Sequence, residues 1–581
     1  MKPKGLNAGV IIAIFIALVA LGCHISQTSK TAGASNQHQI PYPGPEKFAD
    51  HIRNTEFQTP EQEQAGFKLP PGFEITLYAS EPNIGKPINM EFDEKGRLWV
   101  TQSSEYPMAA ASLKGHDKIT ILEDSDGDGK ADRFTPFATD LNIPIGIIPV
   151  QKGAIAFSIP NVYKFNDEDG DGISESKHAL LGEFGYQDTH GMVNNFVRGF
   201  DGWIYACHGF TNTSTIAGTD GDSITMVSGN TFRFKEDGSR VEQTSFGRVN
   251  PFGYTFDEMG YLYSVDCHSK PIYQLIKGGE YPHFGKKVPA MGYAPEMMSF
   301  ELGSTALSGL DYYLGEQFPE EYRNSFYNGD VVTCRINRNT MSFSGSSPEA
   351  KREEDFLISA DPWFRPVAVK EGPDGALYIA DFYNRIIGHY EVPLDHPLRD
   401  RQSGRIWKIK YVGDKPHKNH ATRDWTKATL YELIKNLDYP QLNLRMAIAN
   451  QVVQRFGQGA VVPLTKVATA KKISPKAGVQ ALWALFRLNA LTTEVIDLAL
   501  QHEEPIWKVH ILRILAEQKN ITPAHQKQVL QSLEDSSPHV QRAAAEVLAK
   551  IPATSNVAPL VACYNKTSEK DSHLKYTLLL A

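Results

Sequence analysis

At 581 residues the chain has length for three or four domains of ordinary size, or fewer if one is a large all-β unit. Hydrophobic residues at 41% and charged residues at 22% exclude a disordered, collagen-like or multi-span membrane chain. A net charge of -8 leaves no basic footprint for phosphate backbones, so nucleic acid is not an expected partner, and five cysteines build no disulfide scaffold.

The N-terminus sets an expected address. Lys2 and Lys4 precede an uncharged apolar run from Ala8 to Gly22, shorter than the roughly twenty residues a spanning helix needs. Small Gly22 before Cys23 resembles a bacterial lipobox, so residues 1–23 are expected to be a lipoprotein signal peptide and Cys23 the lipidated mature terminus. A plain secretory signal and an uncleaved anchor remain the alternatives. Residues 24–65 read as a polar tether, which places the folded part at the cell envelope, on the periplasmic side or the outer-membrane surface. Cys207, Cys267, Cys334 and Cys563 remain, with no CxxC pair, so no c-type haem is expected in this chain.

From 66 to 412 one phrase recurs: an apolar stretch, a tight turn on Asp or Gly, then a strand with alternating aromatics. It stands at 87–101, 195–207, 250–266 and 366–381, with weaker copies around 143–165 and 310–335. The turn glycines supply positive φ and the period-2 aromatics make strands buried on one face. About six such units predict an all-β six-bladed propeller. A β-sandwich is the competing reading, and one phrase repeated along the whole stretch argues against it. From 420 to 581 the period changes to 3.6, with apolar runs at 430–437, 444–453, 479–488, 495–500, 509–516 and 540–551. Two turns echo each other, from Asp438 through Pro440 and Arg445 to Ala447, and from Asp535 through Pro538 and Arg542 to Ala544. That pattern predicts an all-α HEAT- or armadillo-like solenoid, incomplete at its C-terminal end because the chain stops within an apolar run.

Two acidic loops carry the most specific local signal. Asp124, Asp126 and Asp128, and again Asp167, Asp169 and Asp171, alternate around glycines that let the backbone turn sharply. Lys130 and Ile173 would add backbone carbonyls, and Asp132 and Glu175 a further carboxylate, a hard-oxygen set that suits structural Ca²⁺. Thr135 and His178 stand where a sensor loop would have its bidentate Glu. A solvated acidic turn is the alternative. A second set sits where propeller strands begin: His190 as a base, and Arg248, Asn250 and Arg365 as anion or carbonyl binders converging on one axis.

These residues together carry a family resemblance. The stretches Pro-Pro-Gly-Phe-Glu-Ile at 70–75, the acidic loop at 123–132, Asp-Thr-His at 188–190, Asn-Pro-Phe-Gly at 250–253 and the segment 365–385 resemble the membrane-bound dehydrogenase domain family. That family is related to the soluble quinoprotein glucose/sorbosone dehydrogenases and also carries HEAT-like repeats. The resemblance implies that His190 takes the proton of a sugar or alcohol hydroxyl, that Arg248 and Asn250 stand at the substrate, and that Arg335 and Arg365 meet pyrroloquinoline quinone. It implies a c-type cytochrome as electron acceptor, in a further module or a partner. Two departures stand in the set: Val249 occupies an arginine position, with Arg248 one place earlier, and Trp363 replaces one of a pair of arginines. A non-catalytic scaffold for glycans or proteins and a metal-dependent propeller hydrolase are the competing functions.

Overall fold

The computed structural model describes residues 51–267, 270–283, 288–302, 306–386 and 392–581, all within one compact unit, Pro45–Ala581. The signal segment, Cys23 and residues 24–50 of the expected tether lie outside the described residues. Residues 51–65 depart from the tether reading. Thr59 and Gln62 form a capping box for the helix Pro60–Ala65, and Glu63 is fully buried in an ion pair with Arg405. A polar composition hid this, because the buried carboxylate is matched by a cation far along the chain.

Six antiparallel blades follow. Their innermost strands, Pro87–Phe92, Ile147–Val150, Asn194–Arg198, Pro251–Phe256, Leu307–Tyr313 and Pro366–Glu371, each touch the next, and the last touches the first, so the ring closes. Closure is made by the N-terminal segment: Phe73–Ser80 pairs with Arg405–Tyr411, from Phe73 opposite Tyr411 to Ser80 opposite Arg405. It thereby becomes the outer strand of the sixth blade.

The recurring phrase has a physical cause. Asp93, Asp201, Asp257 and Asp374 open the turn between the first and second strands of four blades. Each accepts a backbone N–H from just beyond the turn, of Arg97, Trp203, Tyr261 and Ala376. Each also accepts a ring donor from the following strand: Trp99 Nε1 at 2.9 Å, Tyr205 Oη at 2.8 Å, Tyr263 Oη at 2.8 Å and Tyr378 Oη at 3.4 Å. A second device lies at the far end of the second strand, where a polar side chain holds the loop that enters the same blade. Gln102 accepts from Gly85 N, Ser158 from Asn142 N, Asp266 from Val249 and Asn250 N, and Asp381 from Arg365 N.

The helices that follow stack as a solenoid on the turn side of the propeller. Prolines at the first turn of Pro475–Arg487, Pro505–Glu517, Pro523–Ser532 and Pro538–Leu548 start these helices where an N–H has no intrahelical partner to lose. Gly478 is required by packing: a Cβ there would lie 1.9 Å from the Trp507 ring. The roughly 1 kcal/mol that glycine costs a helix interior is offset by close burial of that indole. Docking uses the hairpin turns. Arg445 ion-pairs with Glu258, Arg513 Nη1 donates to Met259 O at 2.6 Å, and His510 Nε2 lies 2.9 Å from Glu258 O. Burial, with Arg513 adding to it, pushes the His510 pKa down to about 3, which keeps the ring neutral between the Trp483 indole N–H and that carbonyl. At the last helix, Ser572–Leu580, the capping Asp571 accepts from Ser346 N, Ser346 Oγ, Ser347 Oγ and Leu574 N at 2.7–3.2 Å and ties the solenoid to the fifth blade. The architecture is the six-bladed propeller followed by helical repeats that the sequence pattern predicts. Among the described residues no helix is long and apolar enough to cross a membrane.

Candidate functional site

The inner strands begin at the mouth of the ring, opposite the helices. There the loop between blades two and three carries His190. Its side chain is 27% exposed, while Asp188 behind it is 3% exposed. Asp188 Oδ1 accepts the His190 N–H at 2.9 Å and stands 3.8 Å from the ring Nδ1. Thr189 Oγ1 donates to Pro107 O at 2.7 Å, which fixes this loop to blade one. Tyr106, from the same stretch of blade one, lies with its ring 5.0 Å from His190 and 5.5 Å from Phe382 of blade six.

Asn250 reaches the same place from blade four. Its N–H is held by Asp266, and its Oδ1 accepts from Phe210 N at 3.4 Å. Gly209 separates it from the histidine loop: a Cβ there would meet Asn250 Oδ1 at 2.3 Å and Gly191 Cα at 2.6 Å. Only a residue without a side chain lets the two loops approach so closely. Cys267 completes this side, its thiol pushed well up by burial and by Asp266, so it is a neutral group and not a nucleophile.

The structure brings His190 and Asn250 together, and it turns the arginines away. Arg248 was expected on the axis. It follows Gly247 in a second left-handed position, φ +71°, and its fully buried side chain runs into the blade, where Nη1 donates to Ser264 Oγ at 2.6 Å. Arg365 is 2% exposed and donates through Nη1 to Phe364 O, Val331 O and Cys334 Sγ at 2.9–3.2 Å. Burial, then neighbouring Arg53, pull its pKa down, against the pull of Cys334. Arg335 forms an ion pair with Asp355 at 2.6 Å. Each of the three guanidiniums expected at a substrate or a quinone thus has partners within the blades, while Nε and Nη2 of Arg248 and of Arg365 are buried without a hydrogen bond among the described residues. Arg248 and Arg365 are buried and Arg335 is ion-paired, so as they stand these three side chains offer no exposed, unpaired cation to a multiply anionic quinone.

Three participants carried no sequence signal of their own: Tyr106, Phe382 and Lys86. Lys86 is buried, with Nζ bound to Asp400 Oδ1 at 2.7 Å and to Phe382 O at 3.1 Å. Burial, opposed by Asp400, brings its pKa down to about 8. It fixes the loop that presents Phe382. The repeated Asp at the end of a second strand was the one available clue, since Asp381 there marks the loop that follows.

The two acidic loops lie at outer turns of blades one and two and share one geometry. Asp124 accepts from Gly127 N and Gly129 N, and Asp167 from Gly170 N and Gly172 N, at 2.8–3.1 Å. Lys130 and Ile173 donate their N–H groups to Asp128 and Asp171. Asp124, Asp126 and Asp128 converge in the first loop and Asp167, Asp169, Asp171 and Glu175 in the second, with ligand oxygens within 4.8 Å of one another. Asp132 does not join the first group. Its carboxylate is taken by the Ser125 N–H and hydroxyl at 2.9 and 2.6 Å, which hold its pKa down.

A family model described as a domain of unknown function, DUF7133, matches residues 59–413, and a model of HEAT repeats matches residues 492–573. No curated protein matches the chain. Among solved structures it is similar to the PQQ domain of pyranose dehydrogenase from Coprinopsis cinerea in its holo form. There the identity is 13%, over 59% of this chain and 97% of that one, with a TM-score of 0.40. It is also similar to the PQQ-bound aldose sugar dehydrogenase from Streptomyces coelicolor, at 15% identity over 59% and 99% of the two chains, TM-score 0.38. A streptogramin B lyase matches at 12% identity over 58% and 97%, TM-score 0.32.

Proposed function

The chain belongs to the DUF7133 family, and from the mouth around His190 we propose that it is an oxidoreductase acting on the hydroxyl of a sugar or other alcohol. The observation that carries the reading is the pairing of a half-open His190 ring with buried Asp188, next to Tyr106 and Asn250. A buried carboxylate 3.8 Å from one ring nitrogen favours the imidazolium that forms when the base takes a proton. His190 would take the hydroxyl proton as the C–O bond gains carbonyl character, and a two-electron acceptor, when bound, would supply the oxidant that receives the hydride. Asn250 and the Tyr106 and Phe382 rings hold the substrate against the base and keep water out.

The reading extends to the setting. Lipidation at Cys23 would hold the enzyme at the cell envelope, with electrons passing to a c-type cytochrome, and mass spectrometry of the mature N-terminus tests the anchor. Ca²⁺ in the two acidic loops would stabilise blades one and two. Turnover of a sugar or alcohol panel with a dye acceptor, with and without pyrroloquinoline quinone and Ca²⁺, tests the activity, and no turnover by the parent on any substrate rejects it. The engagement of Arg248, Arg335 and Arg365 within the blades favours a second reading, a propeller that binds glycans or proteins at this mouth without redox chemistry.

A further inference from the structure

Blade three carries an excursion. Its antiparallel strands are Asn194–Arg198, Ile204–His208, Asn230–Phe234 and Val241–Gly247, and between the second and third the chain leaves to form a hairpin, Thr213–Ala217 paired with Ser223–Val227. Among the described residues this is the one two-stranded sheet. The chain enters it through Thr211, a β-branched residue in the left-handed region at φ +57°, a conformation that costs an L-residue about 1–2 kcal/mol. The residue that follows this strained turn is Asn212, which is fully buried.

Asn212 devotes its whole amide to the loop of His190. Its Oδ1 accepts from Asp188 N at 3.1 Å, and its Nδ2 donates to Asp188 O and to Gly191 O, both at 2.8 Å. Two carbonyls and one N–H as partners fix which amide atom is which. Asp188 to Gly191 is a four-residue turn closed by Gly191 N on Asp188 O at 3.2 Å, and His190 is its third residue. One side chain thus clamps both ends of the turn that presents the ring.

The neighbouring contacts set the same excursion behind the rest of the loop. Ser214 Oγ accepts from Gly185 N at 2.9 Å and lies 2.7 Å from His208 Nε2, while His208 Nδ1 lies 2.8 Å from Ser228 O. Burial pulls the His208 pKa down to about 4, so the ring is neutral, with its proton on Nδ1 towards the carbonyl. Just before Thr211, Gly209 N donates to Gly191 O at 2.9 Å and Phe210 N to Asn250 Oδ1 at 3.4 Å. The segment 209–214 therefore touches both the His190 loop and Asn250.

We propose that Asn212 is the positioning residue of the mouth: it holds the Asp188–Gly191 turn so that His190 faces the substrate beside Asn250 and Tyr106. The inference rests on the dehydrogenase reading of this site. Asn212 touches no substrate and acts through the turn alone.

Asn212→Ala is the test, made in the purified full chain. Gly191 N and Gly209 N stay on the two carbonyls, so the change takes away only the acceptor of the Asp188 N–H and the variant should fold, as thermal melting checks. Asn212→Ser, too short to span both ends of the turn, is the second variant. Deuterium exchange at 188–191 should be about fivefold faster, the equivalent of one lost hydrogen bond. Dye-linked turnover of an accepted alcohol should show kcat lower by roughly tenfold to a hundredfold, with KM within about twofold. Asp571→Ala, destabilised at the last helix, should change neither. Exchange at 188–191 that is unchanged in the folded variants, kcat equal to the parent's, or the same loss of kcat in Asp571→Ala overturns the assignment. If the parent oxidises nothing, the dehydrogenase reading fails by itself, and exchange alone decides whether Asn212 holds the turn.

Discussion

Glu517 joins the two folded parts, and its removal is the perturbation whose size can be worked out. The carboxylate lies at the end of the helix Pro505–Glu517 and accepts from both terminal nitrogens of Arg233, at 3.0 and 2.7 Å, and from Lys277 at 3.1 Å. Burial pushes its pKa up, but Lys277 and Arg233 outweigh burial and hold it at about 2, against 4.5 for an ordinary glutamate. Such a drop corresponds to about 3 kcal/mol of stability at neutral pH. Because the folded pKa is depressed, the contribution is complete above the unfolded value of 4.5 and is lost as pH falls towards 2. Glu517→Gln should therefore cost up to about 3 kcal/mol at pH 7, less whatever Asp201 and Glu242 restore by keeping Arg233 paired. Urea unfolding followed by tryptophan fluorescence, at pH 7 and at pH 3, is the assay. The gap between parent and variant should shrink at pH 3 to about 1 kcal/mol. A gap below about 0.5 kcal/mol at pH 7, or one that is the same at both pH values, refutes the reasoning.

Three further outcomes follow from the same contacts. Asp571→Ala removes a buried acceptor from four donors and leaves the Ser346 N–H unpaired, so it should cost about 2–4 kcal/mol and speed amide exchange at 346 and 347. Gly478→Ala drives a methyl into the Trp507 ring and should lower stability by about 1–3 kcal/mol, with a shift in tryptophan emission. Chelation of Ca²⁺ should lower the parent's melting temperature, and the paired change Asp167→Asn with Asp169→Asn should reduce that response to the share of the first loop. A melting temperature indifferent to chelator would reduce the loops to solvated turns.

The propeller was legible because its turns are local. The Asp of each turn and the aromatic that follows it lie within six residues of each other, so one short phrase holds both halves of the contact. The helical repeats were legible for the same reason, through their apolar period and the prolines that start them. The mouth was legible only in part. His190 and Asn250 sit at loop positions fixed by topology, and the ring geometry brings them together. The arginines failed because a residue type carries no direction. Two successive left-handed residues, Gly247 and Arg248, reverse the side on which the Arg248 side chain leaves the backbone. Arg365 points at Cys334, thirty-one positions away in the chain. Glu63 with Arg405, and Tyr106 with Phe382, pair across the closure of the ring, and no sequence period records such contacts.

The central claim is that His190 is the base of a dehydrogenase site at the mouth. The most direct measurement is dye-linked oxidation of one accepted sugar or alcohol by the parent and by His190→Ala. Loss of a general base predicts a kcat lower by about a hundredfold to ten-thousandfold with KM little changed, and partial recovery when imidazole is added. A variant that turns over as fast as the parent would contradict the claim.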